Sequence, residues 1–210
     1  VEGTLSRGAG GTIHLDAGGT LLIGSGTTSG LLATDLTNNG TVVFNRSNAS
    51  TYAGSMDGAG SVQKLGAGAL EFSGTSSYTE VTTIDGGSVF VNGQLGYTTV
   101  YVNSGALLGG RGSVQGDVLV NNSAVLSPGA ALDQYASFSV GSLSLAAGSL
   151  THLTVSGTDA GLNYDQIAGI GNAPTITYGG TLDLEFNGQY ADMTTFQLFT
   201  NFTFLPSNFQ

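Results

Sequence analysis

Glycine returns along this chain on a regular beat. Gly60 to Gly68 is a step of eight residues and Gly68 to Gly87 a step of nineteen, and both separations recur elsewhere. Within the stretch from Gly58 to Gly93 lie three short apolar-polar alternations, Ser61-Val62-Gln63-Lys64-Leu65, Ala69-Leu70-Glu71-Phe72 and Ser88-Val89-Phe90-Val91. Alternation with period two sends every second side chain to one face, so each segment reads as a half-buried β-strand and each Gly-rich break as a turn. A strand unit that repeats about every twenty residues cannot bury its apolar face alone, and stacking on the next unit solves that problem. The expected fold is therefore all-β, a parallel β-helix (β-solenoid).

The same beat runs along the rest of the chain. Gly3-Thr4-Leu5, Gly11-Thr12-Ile13-His14-Leu15 and Gly19-Thr20-Leu21-Leu22-Ile23 repeat at steps of eight, and Thr41-Val42-Val43-Phe44 opens after Asn38-Asn39-Gly40. Gly87 to Gly105 forms another unit, with Thr98-Thr99-Val100-Tyr101-Val102 on its return leg. The spacing predicts rungs of two short strands and a return leg of about twelve residues. Nine or ten such rungs at ~4.8 Å each make a rod roughly 45 Å long. Gly148 to Gly180 is thirty-two residues, too long for one rung, which predicts a hairpin-like excursion around Ser156 to Asn163.

The segment from Gly58 to Gly93 resembles the autotransporter-associated β-strand repeat. Lys64, Gly66, Gly68, Leu70, Gly74, Tyr78, Thr79, Thr82, Thr83, Ile84, Gly86 and Gly87 fall in step with that motif, and Glu80 departs from it, standing where the family usually has Gly. Further on, GALLGGRGSVQGDVLVNNSAVLSPG, ending at Gly129, is similar to the C-terminal part of autotransporter passengers. So are Phe138 to Leu150, the Tyr164-Asp165-Gln166-Ile167 step, the Gly180 to Phe186 strand and the Thr195 to Phe199 segment. The resemblance implies one continuous solenoid, with β-helix rungs over 1–57, repeat rungs over 58–129, and C-terminal passenger rungs with a folding-nucleus-like region over 130–210. It also implies a right-handed coil, in line with the general handedness of parallel crossovers. Phe196, Phe199, Phe202, Phe204 and Phe209 are expected to close the last rung with aromatic area.

Composition narrows the function classes. The 210 residues include 35 Gly, are 40% hydrophobic and only 9% charged, a turn-dense β composition rather than a disordered one. Four basic against fourteen acidic residues give a net charge of -10, and Arg7, Arg46, Lys64 and Arg111 form no cluster, which disfavours nucleic acid and anionic lipid as partners. There is no Cys, hence no disulfide framework, and no run approaches the ~20 apolar residues of a membrane helix. The start Val1-Glu2-Gly3 has no basic n-region and no apolar h-region, so any export signal is expected to have been removed or to lie upstream, and the chain reads as a piece of something longer.

His14 with Asp16, and His152 in Leu150-Thr151-His152-Leu153, read as solvated or structural, and no Gly-x-Ser-x-Gly elbow is present for a nucleophilic triad. Asp183 and Glu185 alternate with Leu182, Leu184 and Phe186, which places two carboxylates about 7 Å apart on one outward face. That separation lies near the inverting-glycosidase range, but same-strand neighbours on a solvent face are the ordinary polar half of a strand pattern. Asp159, Asn163 and Asp165 offer oxygens for calcium within one loop, without a calcium-type glycine repeat. Asn38-Asn39, Asn92, Asn103 and Asn121-Asn122 recur at turns, where Asn tolerates a left-handed backbone and can stack rung upon rung. Arg111-Gly112-Ser113 is the nearest string to an integrin motif and does not match it. No catalytic, cofactor or metal residue is assigned, and the chain is expected not to be an enzyme.

The resemblance implies a surface-exposed or secreted passenger, exported through periplasm and outer membrane, acting as an adhesive stalk and helping passenger folding. Its implied partners are a host cell-surface protein or glycan, other passengers, and an outer-membrane β-barrel of its own. The alternative is a stem and folding nucleus only, with binding or hydrolase activity in an upstream region.

Overall fold

A computed structural model describes residues 1–6, 12–129, 135–191 and 193–205. Among these residues every regular element is a strand, and every paired strand of the sheets runs parallel to its neighbour. Nine strands build the longest sheet, from Thr20–Thr27 through Thr82–Ile84, Val100–Val102 and Val118–Val120 to Thr203–Phe204. Seven build a second, from Ser50–Tyr52 to Thr181–Phe186, and six a third, from Thr75–Ser76 to Phe199–Thr200. The chain visits the three in fixed rotation, for example Ser61–Lys64, Ala69–Phe72, Thr75–Ser76 and then Thr82–Ile84 back on the first. This is the expected parallel solenoid, with nine coils along its longest face.

The return leg differs from the sequence expectation. It holds a third short strand, and Val100–Val102 belongs to the first sheet of the next coil, pairing with Thr82–Ile84. Two-residue strands such as Gln94–Leu95 bury one side chain and half-bury the other, so they leave almost no alternation to read. Coil length follows the register: Val62 pairs with Thr82, Thr82 with Val100 and Val100 with Val118, steps of twenty, eighteen and eighteen residues. Val118 pairs with Leu143, and Leu143 with Ile176. The second of these longer steps contains an excursion.

The predicted excursion at Ser156 to Asn163 is present. Val155 and Tyr164 form an antiparallel bridge, and the Ser156 N–H donates to the Asn163 carbonyl at 2.7 Å. At the Leu126-Ser127-Pro128-Gly129 corner, Gly110 and Gly129 exchange backbone hydrogen bonds at 2.8 and 2.9 Å in an antiparallel bridge.

Inside, the strands contribute columns such as Leu70-Val89-Leu108-Leu126, all essentially inaccessible. Phe44, Tyr52 and Phe72 meet in the interior with ring centroids 5.9 to 6.2 Å apart. The repeat motif explains itself here. Lys64 is 2% exposed, and its ammonium donates to the carbonyls of Gly66 and Gly86. Tyr78 Oη meets Thr82 Oγ1 at 2.7 Å, Thr82 Oγ1 meets Thr98 Oγ1 at 2.9 Å, and Thr98 Oγ1 donates to the Glu80 carbonyl at 2.6 Å. Buried polar groups thus satisfy one another across the coils.

The aromatic end is organised as two groups rather than one. Phe199 and Phe204 pack on Tyr178 at 5.2 and 5.7 Å, while Phe196 joins Tyr164 and Tyr190 at 5.6 and 5.1 Å. Phe202 packs against the core, and Phe209 lies outside the described residues. The separation follows from the sheet assignment, because the Ser156 to Asn163 excursion draws Tyr164 and Phe196 to one side.

Candidate functional site

Along the outer face of the seven-stranded sheet, one column of side chains runs Thr51-Glu71-Phe90-Gly109-Ser127. Its first members are tied together: Thr51 Oγ1 donates to Glu71 Oε2 at 3.0 Å, and Asn92 Nδ2 donates to Glu71 Oε1 at 2.9 Å. At Gly109 the column loses its side chain. A Cβ there would lie 2.2 Å from the Ser127 carbonyl oxygen and 3.3 Å from the Phe90 ring, so only glycine permits the approach.

Beside this notch lies a hollow of about 250 Å³. Phe90, Leu107 and Pro128 give it apolar walls, and Ser88, Ser127, Thr154 and His152 bring polar groups to it. Tyr135 and Asp165 complete the rim. Asp165 is 3% exposed and acts as a clasp: Oδ1 accepts the Ala136 N–H at 2.8 Å and Oδ2 the Thr154 N–H at 2.9 Å. Burial raises its pKa above the ordinary 3.8, against the opposing effects of those two N–H groups and of nearby His152. The carboxylate fastens the start of the third-sheet strand Ser137–Val140 to the second-sheet strand Leu150–Val155.

His152 sits at one end of the hollow, between the two carboxylates expected on the solvent face. Nδ1 is 2.9 Å from Asp183 Oδ2 and Nε2 is 3.6 Å from Glu185 Oε2. This follows from the parallel register of Leu150–Val155 with Thr181–Phe186, which sets His152 beside Asp183 and Thr154 beside Glu185. Asp183, His152 and Thr154 stand in the order of an acid-base-hydroxyl relay. The 3.4 Å between Thr154 Oγ1 and Nε2 exceeds the reach of a working nucleophile-base pair, and Glu185 faces the same nitrogen. The imidazole bridges the two carboxylates across neighbouring strands. Sequence spacing gave the two carboxylates but not their shared imidazole, which comes from thirty-one residues earlier in the chain.

The other candidates have local duties. The Asp159 carbonyl accepts N–H groups from Leu162, Asn163 and Tyr164 and so closes the excursion, while both Asp165 oxygens are taken up by backbone N–H groups. Among the described residues there is no group of three His, Cys, Asp or Glu side chains able to hold a metal. His14 is exposed on the Ile13–Leu15 strand. Arg111 donates its backbone N–H to Asn92 Oδ1 at 3.2 Å.

The asparagines do stack. Gln63 Nε2 and Asn103 Nδ2 donate to the two oxygens of Asp85 at 2.8 and 2.6 Å, and Asn121 Nδ2 donates to Asn103 Oδ1 at 2.7 Å. Asn39 and Asn122 accept backbone N–H groups of Ala59 and Gly148 from the next coil at 3.1 Å. None of Asn38, Asn39, Asn92, Asn103, Asn121 and Asn122 has a positive φ, contrary to the left-handed turn expectation. Asn103 both donates to Asp85 and accepts from Asn121, which links three successive coils.

No model of a known protein family matches the chain. Over 89 residues, 41% of this chain, it is 39% identical to the adhesin BmaC autotransporter of Brucella suis biovar 1 (strain 1330). The aligned part is 3% of that relative's length. At a coarse level this relates the chain to the passengers of autotransporter adhesins.

Proposed function

We propose that this chain is the C-terminal portion of an autotransporter passenger, exposed at the bacterial surface or secreted. In this reading it is a rigid β-helical stalk with an adhesive outer face, and its coils promote passenger folding during export. The observation that carries the reading is the partial identity to an autotransporter adhesin in a chain whose strands stack coil on coil. Fold alone would not supply a function. The physics supplies a role in export: each new coil buries its apolar side chains on the coil before it, so folding outside the cell releases free energy that draws the chain outward. A host surface protein or glycan, or another passenger, is the partner of the adhesive face.

The test compares the purified chain with a version lacking Gly180 to Gln210, in binding to host cells and to itself. Saturable binding by the folded chain supports adhesion on this part of the rod. Absent binding, with loss of cooperative unfolding in the shortened version, overturns it and leaves a stem and folding nucleus whose partner-binding or hydrolase region lies upstream.

A further inference from the structure

We infer that the hollow between Phe90 and His152 binds a single neutral pyranose ring, so that the rod engages uncharged hexose units of a glycan. This rests on the adhesion reading for its biological role and on the geometry of the hollow for its ligand. Size is the first argument. A cavity of ~150 Å³ holds a benzene molecule, and drug-sized ligands occupy pockets of ~300 Å³ or more, so 250 Å³ suits one six-membered ring with its substituents.

Chemistry is the second. The hollow has an apolar side, with the Phe90 ring extending over the notch at Gly109, and a polar side carrying Ser88, Ser127, Thr154 and His152. A wholly apolar ligand would strip water from those hydroxyls without replacing its hydrogen bonds. A pyranose has an apolar C–H face for an aromatic ring and hydroxyls at its edge for groups that both give and accept. Charge is the third argument. Asp165 lines the hollow, Asp183 and Glu185 flank His152 at its end, and neither Lys nor Arg is among the lining residues. Sialic, uronic and sulfated sugars would meet a negative field in a chain of net charge -10, which leaves neutral hexoses.

The hollow is built rather than incidental to one loop. Its walls come from successive strands of one sheet, Ser88–Val91, Leu107–Gly110, Val125–Pro128 and Leu150–Val155, and the Asp165 clasp fixes its far edge. Rigid strands hold the polar groups in place before the ligand arrives, which lowers the ordering cost of binding.

The experiment titrates the whole chain with galactose, glucose, mannose and N-acetylglucosamine, and with glucuronic and sialic acid as anionic controls, following NMR shifts. Saturable shifts at Phe90 and His152 with at least one neutral hexose, absent with the acids, are expected. Phe90→Ala should weaken that binding by at least about tenfold, the equivalent of about 1.4 kcal/mol. His152→Gln should weaken it too, and Thr83→Ala on another face should not. No shift with any neutral sugar, or unchanged affinity in both folded variants, overturns the inference. Host-cell binding is measured in parallel. Cell binding that survives Phe90→Ala and excess hexose removes the hollow from adhesion while leaving the adhesion reading intact. Hexose binding without cell binding upholds the hollow and defeats the adhesion reading.

Discussion

Lys64 is held in the interior by two backbone carbonyls, and burial lowers its pKa from the ordinary 10.5 to about 8. Between those values the unfolded chain keeps a proton that the folded chain has released, so stability gains as pH rises through that window. Below it both states are charged and the folded state bears the full desolvation cost. The urea midpoint is expected to rise between about pH 8 and 10, and the Lys64 share of that rise to vanish in Lys64→Met. Two glycines test different forces at the same scale. A Cβ on Gly112 would stand 2.0 Å from the Gly93 carbonyl oxygen of the preceding coil, whereas Gly105 has open space around it but a φ of +80°. Gly112→Ala should cost about 3 kcal/mol through displaced backbone. Gly105→Ala should cost about 1 kcal/mol, mostly recovered in Gly105→Asn, because the strain there is conformational. Thermal unfolding of the three variants orders them.

The elements depend on links that sequence shows unevenly. Four-residue strands such as Ala69–Phe72 and Ser88–Val91 were legible from alternation, since each repeats exposed-side and buried-side positions in turn. The third strand of each coil was not, because two residues carry no period. The excursion at Ser156 to Asn163 was visible as excess length between Gly148 and Gly180. Asp165 shows the limit most clearly. Its loop position suggested a cation ligand, yet its carboxylate turns inward to Ala136, twenty-nine residues back, a pairing set by the coiling. Asp165→Asn keeps one acceptor oxygen and turns an NH2 toward the other N–H, which should cost about 1–3 kcal/mol. Faster amide exchange at Ala136 and Thr154 would accompany the loss, and unchanged exchange at both would exclude the clasp.

For the molecule as a whole, each coil touches little beyond its two neighbours, so stability is close to a sum of coil and interface contributions. Native-state hydrogen exchange should therefore be slowest in the middle coils, at Val100, Val102 and Val118, and faster at Thr20–Thr27 and Thr181–Phe186. Equal protection from end to end would instead indicate a single cooperative block. The parallel solenoid was legible because a glycine beat of about twenty residues admits few other arrangements. The hollow on its flank was not, since it needs Phe90, Ser127 and His152 from three separate coils, and only the register brings them together.

The serial register also gives the rod a mechanical character. A pull on the chain ends loads one coil interface at a time, so the structure yields like thread leaving a spool. Each released coil of eighteen to twenty residues frees roughly 60–70 Å of extended chain at ~3.3–3.6 Å per residue. A load on the chain ends would then meet a succession of modest yields rather than one rupture. The line would lengthen under load, dissipating the tug and keeping the remaining coils, with whatever they hold, attached.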